Sequence, residues 1–365
     1  MDREHPIGIS RVFSYSLKDI CVLIPAYNEE LVIEDTLRSV RATGIPTENI
    51  FVLDDCSTDR TGEIVQSMKV QVLRNTVNLK KTRTVEKALN TLKPENRFIF
   101  TAILDADTIL HHDFFFHILN AFVRNPEAAA ICGQPKSIKH NWITSWRALE
   151  YALCMSLYKS AQSTMGVIMV SPGCGTVYLS SVLSELEFHP DDIIIEDTEA
   201  TAQIHRRNLG KIVYEPNAIV YTQDPYTLES FVQQINRWYT GVFQTMRLYR
   251  IPLMFKRIDF EFMLVIGEGF LYSMMVCLLP LWLIMNVTVT LYALLCDQII
   301  WLLIALYFSL THGRIDILLY FPLFVIPRFL NRITFVVCFW NIIICRKGMT
   351  TWYQPDRYAI QKTEK

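Results

Sequence analysis

The chain has no cysteine pair at CxxC spacing and no histidine placed near a cysteine as a zinc site requires. Its nine cysteines, at 21, 56, 132, 154, 174, 277, 296, 338 and 345, therefore read as reduced, mostly buried thiols that behave as small apolar groups. That usage fits a cytosolic face. A basic surplus is also missing: 35 Lys and Arg stand against 36 Asp and Glu, a net charge of −1, so nothing points to a nucleic-acid partner. No internal repeat or low-complexity stretch occurs. The N-terminal Met-Asp-Arg-Glu-His-Pro carries no apolar signal segment, so export of the residues before the apolar tail is not expected. Residues 1–257 lack membrane-length apolar runs, whereas 258–345 are dominated by Leu, Ile, Val, Phe, Met and Trp.

The soluble part alternates short apolar runs with amphipathic stretches. Runs at 20–25, 49–54, 70–74, 97–104 and near 128–134 read as buried strands. Helices are expected over about 29–43, 60–68, 82–92, 112–124, 142–163, 197–208 and 228–249, with short strands at 211–214 and 218–221. This alternation predicts a doubly wound α/β domain. In the tail, 262–285 and 287–311 are each long enough to cross a bilayer. The stretch 315–345 is interrupted by Pro327-Arg328 and Asn331-Arg332 and reads as one broken span or a tight hairpin. Glu268 and Asp297 lie inside the spans, where acids are either buried against polar partners or line a polar route. Basic clusters at Arg247, Arg250, Lys256 and Arg257, and at Arg346 and Lys347, favour the cytosol at both ends and an even number of spans.

Four polar signatures precede the tail: Asp54-Asp55, Asp105-Ala106-Asp107, Glu196-Asp197 and Gln234-Ile235-Asn236-Arg237-Trp238. Each acidic pair follows an apolar run, which places it on the rim of a sheet, where open α/β folds keep their ligand crevice. Asp105 and Asp107 either cap a turn or offer hard oxygen ligands to Mg²⁺ or Mn²⁺. Asp54 and Asp55 are strand-end turn formers or acceptors for a base or ribose. Lys81, beside Lys80 and Arg83, is a solvated helix start or a phosphate contact. Asp197 is an N-cap or a general base, and both can hold at once. Gln234 and Arg237 share a helical face, where Arg can grip a diphosphate. Trp238 offers a ring for sugar stacking or a membrane-interface anchor.

Taken together, these motifs resemble the membrane-bound, processive, inverting glycosyltransferases of family 2, the group of cellulose, hyaluronan and poly-N-acetylglucosamine synthases. The resemblance covers about 20–357. Pro25-Ala26-Tyr27-Asn28-Glu29 is similar to the family's opening strand-loop, and 53–59 to its nucleotide-binding segment. Asp105-Ala106-Asp107 matches the DxD of metal and diphosphate, Glu196-Asp197 the T-E-D whose Asp is the base, and 234–238 the QxxRW. Gly175, in Pro172-Gly173-Cys174-Gly175, lies where the family has a glycine-bearing loop near the acceptor. Trp352, with Arg357, resembles the cytosolic loop that closes over the nucleotide. Cys56 and Lys80 stand where the family has glycine, and Ile195 where it has Thr.

The resemblance implies a GT-A catalytic domain over 1–245, an interfacial amphipathic helix over 246–260, a transmembrane region of two to four spans over 261–345, and a cytosolic tail over 346–365. It implies a multi-pass membrane protein with Mg²⁺ or Mn²⁺ as cofactor, taking a UDP-sugar to a glycan or lipid-linked acceptor. Asp197 is then the base. Pro25, Tyr27, Glu29, Asp54, Asp55, Lys81 and Asp105 bind nucleotide, and Asp107 with Asp105 holds metal. Glu196, Gly175, Gln234, Arg237, Trp238 and Trp352 serve acceptor and diphosphate. Processive polymer synthesis is the expected activity, and transfer of one sugar to a lipid carrier the alternative. The tail is short for a channel, so an oligomer or an accessory channel subunit is an expected partner, with membrane lipid around it.

Overall fold

The computed structural model describes residues 15–348 and 357–358. One sheet contains β1 (Ile20–Ala26), β2 (Ile50–Asp54), β3 (Gln71–Arg74), β4 (Phe100–Ile103), β5 (Ile109–Leu110), β6 (Ala128–Ser137), β7 (Thr176–Leu179) and β8 (Lys211–Thr222). Their order is β3-β2-β1-β4-β7-β6-β8-β5. The soluble part also has α1 (Ile33–Ala42), α2 (Thr61–Ser67), α3 (Lys80–Leu92), α4 (Phe114–Arg124), α5 (Trp142–Leu153), α6 (Ser160–Met165), α7 (Ser180–Leu183), α8 (Glu196–Arg207) and α9 (Leu228–Leu248). The tail holds α10 (Arg257–Met285), α11 (Val287–His312), α12 (Ile315–Leu319) and α13 (Val325–Phe339).

β1 is buried along its whole length because both faces are covered. Ile20, Val22 and Ile24 pack with Leu37, Val40 and Phe115, while Cys21 and Leu23 pack with Val85, Ala88 and Ile204 on the opposite face. Two-sided burial is why such strands read as unbroken apolar runs. β1 pairs in parallel with β2 and β4, and β2 with β3. The order reverses at β1, so the crevice lies beyond the C-terminal ends of β1 and β4, the switch point of an open α/β sheet. Beyond β4 the sheet is mixed: β7 runs antiparallel to β4 and β6. The doubly wound expectation therefore holds for the first four strands, and the whole is the mixed GT-A arrangement.

Three boundaries differ from expectation for identifiable reasons. α1 starts at Ile33 rather than at 29, because the Asn28, Glu29 and Glu30 N–H groups bond across to Ser57, Thr61 and Asp59. The two short strands at 211–214 and 218–221 are one strand, β8, with a register irregularity opposite Gly133. A Cβ on Gly133 would lie 2.4 Å from the Ala218 carbonyl oxygen, so the bulge needs glycine there. No helix covers 249–256: α9 ends at Leu248, and Pro252, which has no N–H to donate, falls in the turn before α10. The interfacial helix expected over 246–260 is thus the end of α9, a turn and the first residues of α10.

Among the described residues, three helices are long and apolar enough to cross a membrane: Arg257–Met285, Val287–His312 and Phe321–Ile344. The third is one broken helical stretch rather than a hairpin, and the count is odd where the flanking charges favoured an even one. Its polar residues face protein. Arg328 bonds both oxygens of Asp297 (2.7 and 2.8 Å), and Asn331 bonds Glu150 (2.9 Å) and accepts the Tyr239 hydroxyl (2.5 Å). Glu268 accepts the Tyr158 hydroxyl at 3.1 Å. Both acids of the apolar helices, Asp297 and Glu268, therefore have polar partners.

The tail is tied to the α/β domain by packing and by charge. Phe243 of α9, Ile258 and Phe262 of α10, and Phe335 of α13 share one apolar cluster with Ala202 of α8. Arg206 of α8 bonds both oxygens of the fully buried Asp259 (2.9 and 2.5 Å). α9 also presses on the segment that carries the acidic pair: a Cβ on Gly241 would lie 2.5 Å from the Ile195 side chain. Gly241→Ala is therefore expected to lower the melting temperature in detergent, at the roughly 1–3 kcal/mol typical of overpacking. It should also impair turnover, because Ile195 directly precedes Glu196 and Asp197; an unchanged melt would show that α9 yields without cost.

Candidate functional site

The loops after β1 and β2 are stitched to each other before anything binds. Asn28 accepts from the Thr58 N–H (2.8 Å) and Glu29 N–H donates to Thr61 (2.8 Å). Asp54 Oδ1 accepts from Ser57 N–H (2.9 Å), and Arg74 lies 3.3 Å from its Oδ2. Asp55 Oδ1 accepts from Asn75 and from the Leu79 N–H, both at 2.8 Å. Both carboxylates are buried and shape the loops around them. Cys56 and Lys80, which stand in glycine positions of the resembled pattern, have φ of +67° and +66°. The backbone thus keeps the left-handed conformation glycine favours and accepts about 1–2 kcal/mol of strain at each.

Next to these loops lies a cluster of opposite charges. Lys81, at the start of α3, bonds Asp105 Oδ1 (2.6 Å) and Glu196 Oε1 (2.5 Å). Arg357 forms a fork on Glu29, with both bonds at 2.8 Å, and reaches Asp107 Oδ2 at 2.5 Å. Burial would raise Asp105, but Lys81 outweighs it and holds the carboxyl below its usual range. Burial raises Asp107 above that range against the pull of Arg357, with Asp105 adding to the rise. Arg237 sits among Asp105, Glu196 and Asp197, and burial still leaves it below the usual arginine range.

Asp197, in the first turn of α8, accepts the Gly173 N–H at 2.9 Å and the Thr198 hydroxyl at 3.1 Å. Burial first, then the charge of Glu196, pushes its carboxyl up to about 6. An acid with that affinity and a fixed orientation can exchange a proton near neutral pH. Gly175 does not face it: a Cβ there would meet Val220 at 3.0 Å. Gly173 does, with its hypothetical Cβ 3.3 Å from Asp197 Oδ2 and from Lys81 Nζ. Of the two glycines in this loop, Gly173 is the one turned to the acid.

Sequence reasoning missed Arg147. It is 2% exposed, donates to Gln234 Oε1 (2.6 Å) and Glu150 Oε2 (2.7 Å), and lies 4.5 Å from the ring centres of both Phe231 and Trp238. Gln234 and Trp238 are therefore joined through a cation on α5, while Arg237 turns toward the acids. The only trace in the sequence is one Arg inside an otherwise largely apolar helical stretch. Pro25 is buried in β1, and Tyr27 lies half-buried just beyond it. Trp352 falls outside the described residues.

The model of the glycosyltransferase-like family 2 matches residues 18–241. The poly-beta-1,6-N-acetyl-D-glucosamine synthase of Staphylococcus epidermidis is 30% identical over 226 residues, 62% of this chain and 55% of that protein. The synthase of the same name in Staphylococcus aureus (strain COL) is 29% identical over 246 residues, 65% of this chain and 60% of that one. The chain thus spans little more than half the length of these curated relatives. In fold it is similar to the mannosyltransferase PcManGT from Pyrobaculum calidifontis, solved in complex with GDP-Man and Mn²⁺. The TM-score is 0.61 at 17% identity, over 88% of this chain and 87% of that one. With the family model running from just before β1 into α9, over more than half of its length, the chain belongs to the glycosyltransferase-like family 2.

Proposed function

We propose that the protein transfers a sugar from a UDP-sugar, with inversion, to the hydroxyl of a growing polysaccharide at a membrane. The observation that carries this reading is Asp197, held by the Gly173 N–H, raised to about 6 and set among Lys81, Arg237 and the Asp105–Asp107 pair. Asp197 takes the proton of the acceptor hydroxyl as that oxygen bonds to the anomeric carbon, and the bond to the diphosphate breaks. Arg237 and Lys81 face the negative charge that develops on the departing diphosphate. The names of the curated relatives favour N-acetylglucosamine as the transferred sugar and a polymer as the product. The catalytic domain faces the cytosol, where nucleotide sugars are made, and the apolar helices hold it to the bilayer.

The donor set suits a divalent ion. Asp105 and Asp107 offer hard carboxylate oxygens, and Asp107 with Glu29 already holds one cation, the Arg357 guanidinium. Mg²⁺ or Mn²⁺ bound there would supply charge neutralisation to the leaving diphosphate. Arg357 and the ion would draw on the same oxygen of Asp107. Arg357→Gln is therefore expected to tighten Mn²⁺ binding severalfold in calorimetric titration; equal affinity in both proteins would show that the guanidinium does not compete.

Purified protein with Mn²⁺, UDP-sugar and acceptor should release UDP. Asp197→Asn should lower release by about 10²–10⁴-fold, the usual contribution of a general base, while leaving UDP binding intact. Normal turnover in the Asn variant would remove Asp197 from this role. The base acts ionised, and its carboxyl titrates at about 6; the rate should fall as pH drops below about 6 and level off above it. Product length on a sizing gel decides the acceptor: a ladder supports polymer synthesis, and a single shifted lipid band supports one-sugar transfer.

A further inference from the structure

One buried carboxylate beside the site has no part in the chemistry above. Asp224 follows β8, three residues before Thr227, whose side chain caps α9. It is 2% exposed. Its Oδ1 accepts the Tyr151 hydroxyl at 2.9 Å. Its Oδ2 is buried and has no hydrogen-bond partner among the described residues. The Ser137 hydroxyl lies 3.1 Å from the Thr144 carbonyl and, close to Asp224, works against the rise in its proton affinity without reaching hydrogen-bond geometry to Oδ2. A buried polar atom left without a partner costs about 1–3 kcal/mol, and such an atom in a native fold calls for a partner such as water, an ion or a bound group.

The surroundings indicate which ligand. Burial pushes Asp224 up to about 6, Arg147 opposes the rise, and Asp107 adds to it. Asp224 therefore feels both the cation that holds Gln234 and Trp238 and the second acid of the Asp105–Asp107 pair. The sheet order sets it apart from the nucleotide side: the Asp54–Asp55 loop follows β2, whereas Asp224 follows β8, on the other side of β1 and β4. A second unpartnered atom lies near it. Tyr358 Oη is buried without a hydrogen-bond partner among the described residues, and after burial the Asp224 charge is the largest influence on that hydroxyl. Tyr358 is held in place by two bonds with Gln223 (2.8 and 3.2 Å) and by stacking on His140 with ring centres 4.2 Å apart. Two orphaned oxygens, one an obligate acceptor when ionised and one able to donate, suit the hydroxyls of a sugar ring.

We propose that Asp224, braced by Tyr151, is a specificity-determining residue that accepts a hydrogen bond from a hydroxyl of the acceptor sugar and so aims the attacking oxygen at Asp197. The assignment rests on the glycosyl-transfer reading above. A site built to pair a hydroxyl discriminates strongly, because a substrate lacking that group leaves the carboxylate unpaired.

The test uses the full chain in detergent with Mn²⁺, UDP-N-acetylglucosamine and a soluble N-acetylglucosamine oligosaccharide as acceptor. Asp224→Asn keeps the shape but replaces one acceptor oxygen with a donor. It should raise the acceptor KM by about 10–100-fold, while the donor KM and UDP–Mn²⁺ affinity by calorimetry stay within about twofold. Tyr151→Phe keeps the carboxylate but removes its brace, and should raise the same KM by a smaller factor. It serves as the readout should the Asn variant fail to fold. Loss of UDP–Mn²⁺ affinity with the acceptor KM unchanged would overturn the proposal and make Asp224 a donor-side group. An unchanged acceptor KM in the folded variant, or in Tyr151→Phe if that alone folds, would overturn it too. A wild-type protein that releases no UDP would instead overturn the transfer reading itself, and this proposal with it.

Discussion

Compensation of buried charge is the constraint on which the rest of the site depends. Glu29, Asp105, Asp107, Glu196 and Asp197 arrive from the ends of β1 and β4 and from the start of α8. Carboxylates brought together out of water repel one another and lose hydration, so the arrangement persists only with cations among them. Lys81 bridges Asp105 to Glu196, Arg357 bridges Glu29 to Asp107, and Arg237 lies against Asp105, Glu196 and Asp197. The compensation is uneven, and chemistry follows from that. Asp105 is held ionised by its lysine, whereas Asp197, buried and beside Glu196, keeps its proton to about 6.

The helix α9 joins this charge cluster to the membrane-facing part. Its Phe243 packs with α10 and α13, its Gly241 admits Ile195 at close quarters, and its Gln234 and Trp238 are held by Arg147 of α5. Arg147 in turn bonds Glu150, which bonds Asn331 of α13. A continuous set of polar contacts therefore runs from the QxxRW face to a residue inside the third apolar helix.

Much of this was legible from the chain. The strands of the first half were placed within a few residues because two-sided burial produces plain apolar runs. The three acidic signatures fell at strand ends, or at a helix start, as a rim position predicts. What could not be read was which partner each group would take. Lys81 was a candidate phosphate contact, and its bonds to Asp105 and Glu196 could not be foreseen. Asp54 and Asp55 were candidates for the base or ribose, and they brace their own loops. Arg147 and Asp224 lie in no recognisable spacing, and each acquires meaning from residues some 70 to 90 positions away. The interfacial helix over 246–260 failed on Pro252, and the strands at 211–214 and 218–221 merged because Gly133 lets the neighbouring strand approach.

The sequence by itself determined the α/β class, the apolar tail, the order of the motifs and the acids available for chemistry. These are properties of local pattern, set by burial period, chain length and residue type. The tertiary structure alone decided that β7 turns the sheet mixed, that Gly173 rather than Gly175 faces Asp197, and that Arg357 closes on Asp107. It also decided that burial raises the proton affinity of Asp197 while Lys81 holds that of Asp105 down. Those outcomes depend on through-space charge and desolvation, which fall off over a few ångströms and have no fixed relation to separation along the chain.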